Sequence, residues 1–183
     1  GRSYRLSPGA FWQVHKNAAN TLASEVLAMT QAVGFNDSAD NLDLYGGAGL
    51  FAGSLATVFG DEMNLTLVEA SPVSASDAKR NLADLKNVKV IATGTEAFLR
   101  KTASLKPEST VIIDPPRSGA GREVVEQLVR LEAKHVVYVA CDPISLARDL
   151  KDFLAAGYKI QAIKAFDLFP HTHHFETVVS LVR

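Results

Sequence analysis

Seven short apolar runs recur along the chain, most of them separated by enough residues for one helix, and this alternation constrains the fold more than any other feature. "NLDLY" (41–45), "LTLVEA" (65–70), "VKVIAT" (88–93), "TVIIDPP" (110–116), "HVVYVAC" (135–141), "YKIQAIKAF" (158–166) and "ETVVSLV" (176–182) are rich in Val and Ile and bounded by breakers. That composition suits strands on a pleated, buried surface. Between them Leu50–Phe59, Ser71–Lys86, Glu96–Leu105, Glu123–Leu131 and Ile144–Ala156 repeat apolar residues at helical spacing, as does Asn17–Val33 ahead of the first run. Ser71-Pro72 supplies an N-cap with proline in the first turn, and Gly157 a stop. Parallel strands need crossover connections, usually helices, so the pattern predicts a mostly parallel sheet covered on both faces. The last two runs are joined by "DLFPHTHHF" with no helix between them, which predicts an antiparallel pair at one edge. A chain of 183 residues, 47% hydrophobic, is large enough for one such domain with a real core.

Composition narrows the function. A formal net charge of −1 excludes a domain that grips nucleic acid by bulk positive charge. One cysteine cannot form an internal disulfide and suggests a reducing compartment. No apolar run reaches the length of a membrane span. The opening "GRSYRLSPGAF" reads as the middle of a longer protein.

In open α/β sheets ligands bind outside the carboxyl ends of the strands, and the chemistry-bearing residues of this sequence fall there. "DLYGGAGLF" ends the first run and opens a helix. Gly47 and Gly49 allow a sharp turn and close approach of a ligand to the backbone. The spacing is not G-x-G-x-x-G; it fits acidic-x-x-x-G-x-G, a form used to bind S-adenosylmethionine, although a ligand-free strand–helix turn has the same look. Glu69 ends the second run, where a carboxylate can accept both hydroxyls of a ribose or simply meet solvent. Asp114 ends the fourth run in "VIIDPPRSGAG", whose prolines stiffen the loop. Arg117 stands fourth in Asp-Pro-Pro-x; methyltransferases of exocyclic amines carry an aromatic ring there.

Cys141 ends the fifth run, just before Asp142-Pro143 starts a helix. Most lone cysteines are inert core residues, but a thiol at a helix N-terminus is favoured as thiolate. One reaction needs it there. C5 of uracil is a poor nucleophile, and a thiolate that adds to C6 makes C5 nucleophilic, splitting one hard step into two easier ones. A base must then remove the C5 proton. "FPHTHHFETVVSL" offers His171, His173, His174 and Glu176. The crowded histidines are poorly spaced for zinc, so no metal is expected.

With Cys141 and Glu176 in place, the chain resembles the catalytic domain of the RNA uracil-5 methyltransferase family. "SPGAFWQV", "DLYGGAGLF", "DPPRSGAG", "VYVACDPISLARDL" and "FPHTHHFETV" match its motifs in order from Ser7 to Val178. The resemblance implies an α/β, Rossmann-like, seven-stranded class I S-adenosylmethionine-dependent methyltransferase fold, with a mostly parallel sheet and an antiparallel last strand. It implies that Gln13, Tyr45, Gly47, Glu69 and Asp114 bind S-adenosyl-L-methionine, that Cys141 is the nucleophile and that Glu176 is the base. It further implies a cytoplasmic enzyme acting on a uridine of tRNA or ribosomal RNA, with Arg117, His171 and His173 as candidate walls for a flipped base. Residues 1–183 are expected to form a single catalytic domain, the C-terminal part of a longer protein whose N-terminal RNA-binding domain is not in this sequence. RNA is therefore expected to bind this segment weakly.

Three positions depart from the family pattern: Gly46 where a cysteine is frequent, Leu50 where several members have an asparagine toward the cofactor, and Asp142 where the motif usually reads Asn. Two other functions remain open at this point, a methyltransferase of exocyclic amines and a cofactor-binding domain that is inactive without its RNA-binding part.

Overall fold

The computed structural model describes residues 2–169, 171, 172 and 175–183. Six helices and seven strands follow one another as α1 (Ala18–Ala32), β1 (Asn41–Leu44), α2 (Leu50–Phe59), β2 (Leu65–Glu69), α3 (Pro72–Asn81), β3 (Val88–Ala92), α4 (Thr95–Lys101), β4 (Thr110–Ile113), α5 (Gly121–Arg130), β5 (His135–Ala140), α6 (Pro143–Ala155), β6 (Lys159–Phe166) and β7 (Glu176–Val182). The strands form one sheet in the order β3-β2-β1-β4-β5-β7-β6. Pairings among β1 to β5 are parallel, and β7 runs antiparallel to both β5 and β6. This is the sheet expected from the alternation of runs and from the helix-free final connection.

Two apolar layers cover the sheet. Strand β5 serves both: Val136, Tyr138 and Ala140 pack with Val124, Leu128 and Phe153 on one face, while Val137 and Val139 pack with Leu22, Val26 and Phe51 on the other. All six β5 residues are buried, so the strand reads as a continuous apolar run rather than an alternating one. Each fully buried Leu, Ile or Val side chain of this kind contributes roughly 1.5–3 kcal/mol of transfer free energy.

The helix ends follow local chemistry. The Ser71 hydroxyl accepts the Ser74 N–H at 3.3 Å with Pro72 in the first turn, and Gly157 takes φ 91° just after α6. Two helices are shorter than their apolar spacing suggests. α3 stops at Asn81 rather than Lys86, because the chain turns at Leu82 and the Lys86 N–H leaves for the Asp61 carbonyl at 2.9 Å. α4 stops at Lys101, where the Arg130 guanidinium takes up the Leu99 and Thr102 carbonyls at 2.9 Å each. That is a side-chain substitute for continued helical bonding.

The leader before α1 is strapped across α2 and α3. Arg2 makes a two-pronged pair with Asp84, both bonds 2.7 Å. The Ser7 N–H and Oγ–H both donate to buried Asp77 at 2.7 Å. Asn81 accepts the Arg5 N–H at 2.9 Å and donates to the Arg5 and Ala48 carbonyls, joining the leader to the glycine turn. Tyr4 lies so close over α2 that a Cβ on Gly53 would stand 2.4 Å from its hydroxyl.

Candidate active site

The carboxyl edge of the sheet assembles from four turns. In the first, Tyr45 takes φ 61° and Gly47 φ 53°, conformations that cost a non-glycine residue energy and a glycine little. A Cβ on Gly47 would meet nothing within 4 Å, so a ligand has room against this backbone. Gly46 is different: a Cβ there would stand 2.4 Å from Leu67 Cγ. The departure from cysteine at this position is thus matched by the leucine packed beneath it. Gly49 precedes α2 without a side-chain cap, and buried Asp43 replaces the cap from β1 by accepting the Ala52 N–H at 3.0 Å. Asp43 therefore organises the turn. Its other oxygen is buried with no partner. Burial pushes its carboxyl up to about 7, the Ala52 bond holds it down in part, and Glu69 adds to the rise.

Glu69 ends β2 and ties two turns together. One oxygen accepts the Gly47 N–H at 2.9 Å and the other the Ser71 N–H at 2.7 Å. Each oxygen keeps a further lone pair for a hydroxyl donor. The leader lays Phe11, Trp12 and Gln13 beside Tyr45, Gly47 and Asp114 in one narrow cleft. Leu50 lines the same cleft with an apolar side chain where the family pattern has a polar one. Burial pushes the Tyr45 phenol up to about 12, with the nearby Glu96 adding to the rise. Gln13, Tyr45, Gly47 and Asp114 are thus brought together, with Glu69 behind the turn.

The two residues expected to act as nucleophile and base lie just beyond the end of one ladder. The antiparallel β5–β7 ladder pairs Val139 with Val178 and Ala140 with Thr177. The ladder ends there: Cys141 directly follows Ala140, Glu176 directly precedes Thr177 as the first residue of β7, and the Glu176 charge acts on the thiol. An antiparallel last strand is what brings a residue at a strand beginning to the edge where the other strands end.

Glu176 has two carboxyl neighbours in this region, Asp114 and, beyond it, Asp43. Glu176 is buried, only 4% exposed, and burial lifts its carboxyl to about 7 against a lowering by the Arg117 charge. Asp114 keeps part of its surface in solvent but is enclosed enough to stand well above the usual carboxylate range, with Glu176 and then Asp43 adding to the rise. The Cys141 thiol is pushed up by burial, then by Glu176 and Asp114, while Arg117 draws it down. The helix-end stabilisation expected of Cys141 is therefore outweighed. The residue lies one position before the N-cap of α6, and Asp142 fills that cap by accepting the Ser145 N–H at 2.8 Å.

Arg117 is exposed on the Asp-Pro-Pro-Arg loop. His171 is exposed with φ 65° in the turn before β7. His173 and His174 lie outside the described residues. A larger cavity, about 430 Å³, sits at the opposite edge between Leu105, Arg130, Lys134 and Arg183, and none of the expected site residues lines it. The sequence reading missed the residues behind the site: Asp77 and Asn81, which hold the leader, and Asp149, which holds the Asp-Pro-Pro-Arg loop. The signal was available in "LARDL" and in polar residues at buried helix positions, but nothing local to the sequence says what they touch.

The tRNA (uracil-5-)-methyltransferase family model matches residues 2–183. The chain belongs to that family. An uncharacterized RNA methyltransferase of Streptomyces avermitilis is 46% identical over 181 residues, 99% of this chain and 41% of that protein. One of Thermotoga maritima is 38% identical over 182 residues, 98% of this chain and 40% of that protein. The crystal structure of the Pyrococcus abyssi tRNA (uracil-54, C5)-methyltransferase in complex with S-adenosyl-L-homocysteine superposes with a TM-score of 0.80 at 31% identity, over 99% of this chain and 42% of that one. The chain thus spans about two fifths of the length of these family relatives. Its fold is the Rossmann-like class I methyltransferase fold that the resemblance implied.

Proposed function

We propose that this chain is the catalytic domain of a cytoplasmic, S-adenosylmethionine-dependent enzyme that methylates C5 of a uridine in tRNA or ribosomal RNA. The observation that supports the proposal is the β5–β7 ladder, whose last pair, Ala140–Thr177, leaves Cys141 and Glu176 as the adjoining residues at the ligand edge of the sheet. The residues present suit the cofactor. Gly47 leaves its backbone open, Glu69 can accept ribose hydroxyls, and Gln13, Tyr45 and Asp114 share the adjoining cleft. A cation beside Asp114, Asp43 and Glu176 would relieve the like-charge crowding that raises these carboxyls. When bound, S-adenosylmethionine supplies an electrophilic methyl group on a positively charged sulfur.

The chain's own residues do the rest. Cys141 gives its proton to solvent and forms a bond from Sγ to C6, and electron density moves to C5 and the C4 oxygen. Once C5 carries the methyl group, Glu176 takes the C5 proton, the C6–S bond breaks, and the thiolate leaves. A carboxyl lifted to about 7 is suited to a base at neutral pH. Arg117 places positive charge where the thiolate forms. The amine-methylating alternative has less support: it requires neither a thiol nor a carboxylate facing it, and Arg117 offers no aromatic face. The near-neutral chain points to RNA grip outside this domain.

The test is Glu176→Gln. Addition and methyl transfer should proceed, but loss of the C5 proton should stall. Turnover then falls about a hundredfold or more, and a denaturation-stable protein–RNA adduct accumulates. Normal turnover by this variant contradicts the assignment.

A further inference from the structure

Behind the Asp-Pro-Pro-Arg loop lies a buried carboxylate with no part in the reaction described above. Asp149, on α6, has no exposed surface. One of its oxygens accepts the Tyr138 hydroxyl at 2.7 Å, the Ala120 N–H at 2.8 Å and the Gly121 N–H at 3.2 Å. The other accepts Arg148 Nε at 3.1 Å and Nη2 at 2.9 Å. Arg148 Nη2 also donates to the Ser118 carbonyl at 2.6 Å. The Tyr138 hydroxyl in turn accepts the Ala120 N–H at 3.0 Å. Every tie from this cluster to the loop lands on residues 118–121. At Gly119 the fit is so close that a Cβ would stand 2.6 Å from both Arg148 Nη2 and Asp149 Oδ2.

The loop is pinned at its other end as well. The Asp114 N–H donates to the Leu44 carbonyl at 3.3 Å, and the Gly119 N–H closes a turn on the Pro116 carbonyl at 2.8 Å. Only Pro115, Pro116 and Arg117 lie between the two anchors, and both prolines have fixed φ. Arg117 therefore has little backbone freedom while Asp149 holds. Tyr138 and Cys141 lie three residues apart, and Asp149 belongs to the helix that follows them. The clamp thus ties the loop to the same strand–helix unit that carries the thiol.

We infer that Asp149 is a positioning residue for this site: by clamping residues 118–121, with Tyr138 and Arg148, it fixes the backbone that carries Arg117, whose charge acts on Cys141 and Glu176. The inference rests on the reading of those two residues as nucleophile and base. It adds a residue that touches neither substrate nor cofactor. A buried carboxylate sharing three donors on one oxygen is costly to leave half satisfied, which gives the clamp one preferred geometry.

The charged groups that face the thiol are Glu176 from β7 and Asp114 and Arg117 from the loop after β4. Removing Arg117 from its place should therefore make the thiolate harder to form. Direct loss of the Asp149 anion would act in the opposite direction, because removing a negative charge eases thiolate formation. The sign separates positioning from simple electrostatics.

The experiment uses the protein at its full natural length, without RNA or S-adenosylmethionine. Alkylation of Cys141 by iodoacetamide is followed against pH by peptide mass spectrometry in the parent, Asp149→Asn, Arg148→Gln, Arg117→Gln and the Asp149→Asn/Arg117→Gln double variant. Arg117→Gln should move the alkylation midpoint upward by about half a pH unit. Asp149→Asn should move it in the same direction, Arg148→Gln by less, and the double variant no further than Arg117→Gln alone. Arg148 is half exposed; because loss of its charge alone would also raise the midpoint, if Asp149→Asn does not fold Arg148→Gln is combined with Arg117→Gln, and a shift additive to that of Arg117→Gln overturns the inference. A folded Asp149→Asn or Arg148→Gln protein with an unchanged or lowered midpoint overturns the inference, as does an additive shift in the double variant. Because neither RNA nor cofactor enters the assay, failure here leaves the methylation reading standing. Loss of methylation with these shifts intact would overturn that reading alone.

Discussion

At the scale of single residues, burial and like charge shift the acids and the thiol of this edge in the same direction, upward. Burial raises Glu176 and Asp43 to about 7, and burial with like charge raises Asp114 and Cys141. The base must be ionised and the thiol must become thiolate, so kcat/KM should rise through pH 7 and keep rising above pH 8. A profile flat from pH 6 to 8.5 would remove both groups from the free enzyme's rate law. The same shifts bear on stability. A carboxyl whose folded-state pKa is raised stabilises the fold fully below its unfolded value, near 4, and that stability is lost as pH climbs through the folded value. Asp77 and Asp84, held low by Ser7 and Arg2, act the other way and lose their contribution only in acid. The cofactor-free protein should therefore melt several degrees higher at pH 5.5 than at pH 8, as read by calorimetry at the two values. That Cys141 and Glu176 fall at one edge of the sheet was legible because one follows a strand end and the other begins an antiparallel strand. The raised thiol was not, because it depends on Asp114 and Glu176, which are distant in sequence.

At the scale of elements, helices, strands and loops divide the work. Strands carry Asp43, Glu69, Asp114 and Cys141 to one edge, and β7 reverses direction to add Glu176. That much followed from apolar runs and the helix-free last connection. Element ends followed less well, since α3 and α4 stop where Lys86 and Arg130 bond outside their own helices. The anchoring of the leader was not legible at all: Asp77, Asn81 and Asp84 lie about seventy to eighty residues downstream. Asp77 accepts both Ser7 donors from a position with no exposed surface. Asp77→Ala should release the leader, which holds Gln13 in the cleft. The expected result is about a tenfold loss of S-adenosylmethionine affinity by calorimetric titration, with new protease cleavage before α1. Unchanged affinity would make the strap a covering segment only.

At the scale of the whole molecule, the sheet order and the family membership agree, and the chain spans about two fifths of its relatives. A domain of net charge −1 with a catalytic edge built of carboxylates is a poor electrostatic host for RNA. We therefore propose that RNA is gripped by other parts of the protein. The central claim is covalent: Cys141 adds to C6 of a uridine. The measurement that tests it most directly incubates the protein at its full natural length with S-adenosylmethionine and tRNA or ribosomal RNA fragments carrying 5-fluorouridine. Fluorine at C5 cannot leave as a proton does. The account predicts a denaturation-stable complex whose cross-linked peptide contains Cys141, and the RNA that traps names the substrate. S-Adenosylmethionine bound with no adduct on any of these RNAs would contradict it and leave Cys141 a packing thiol.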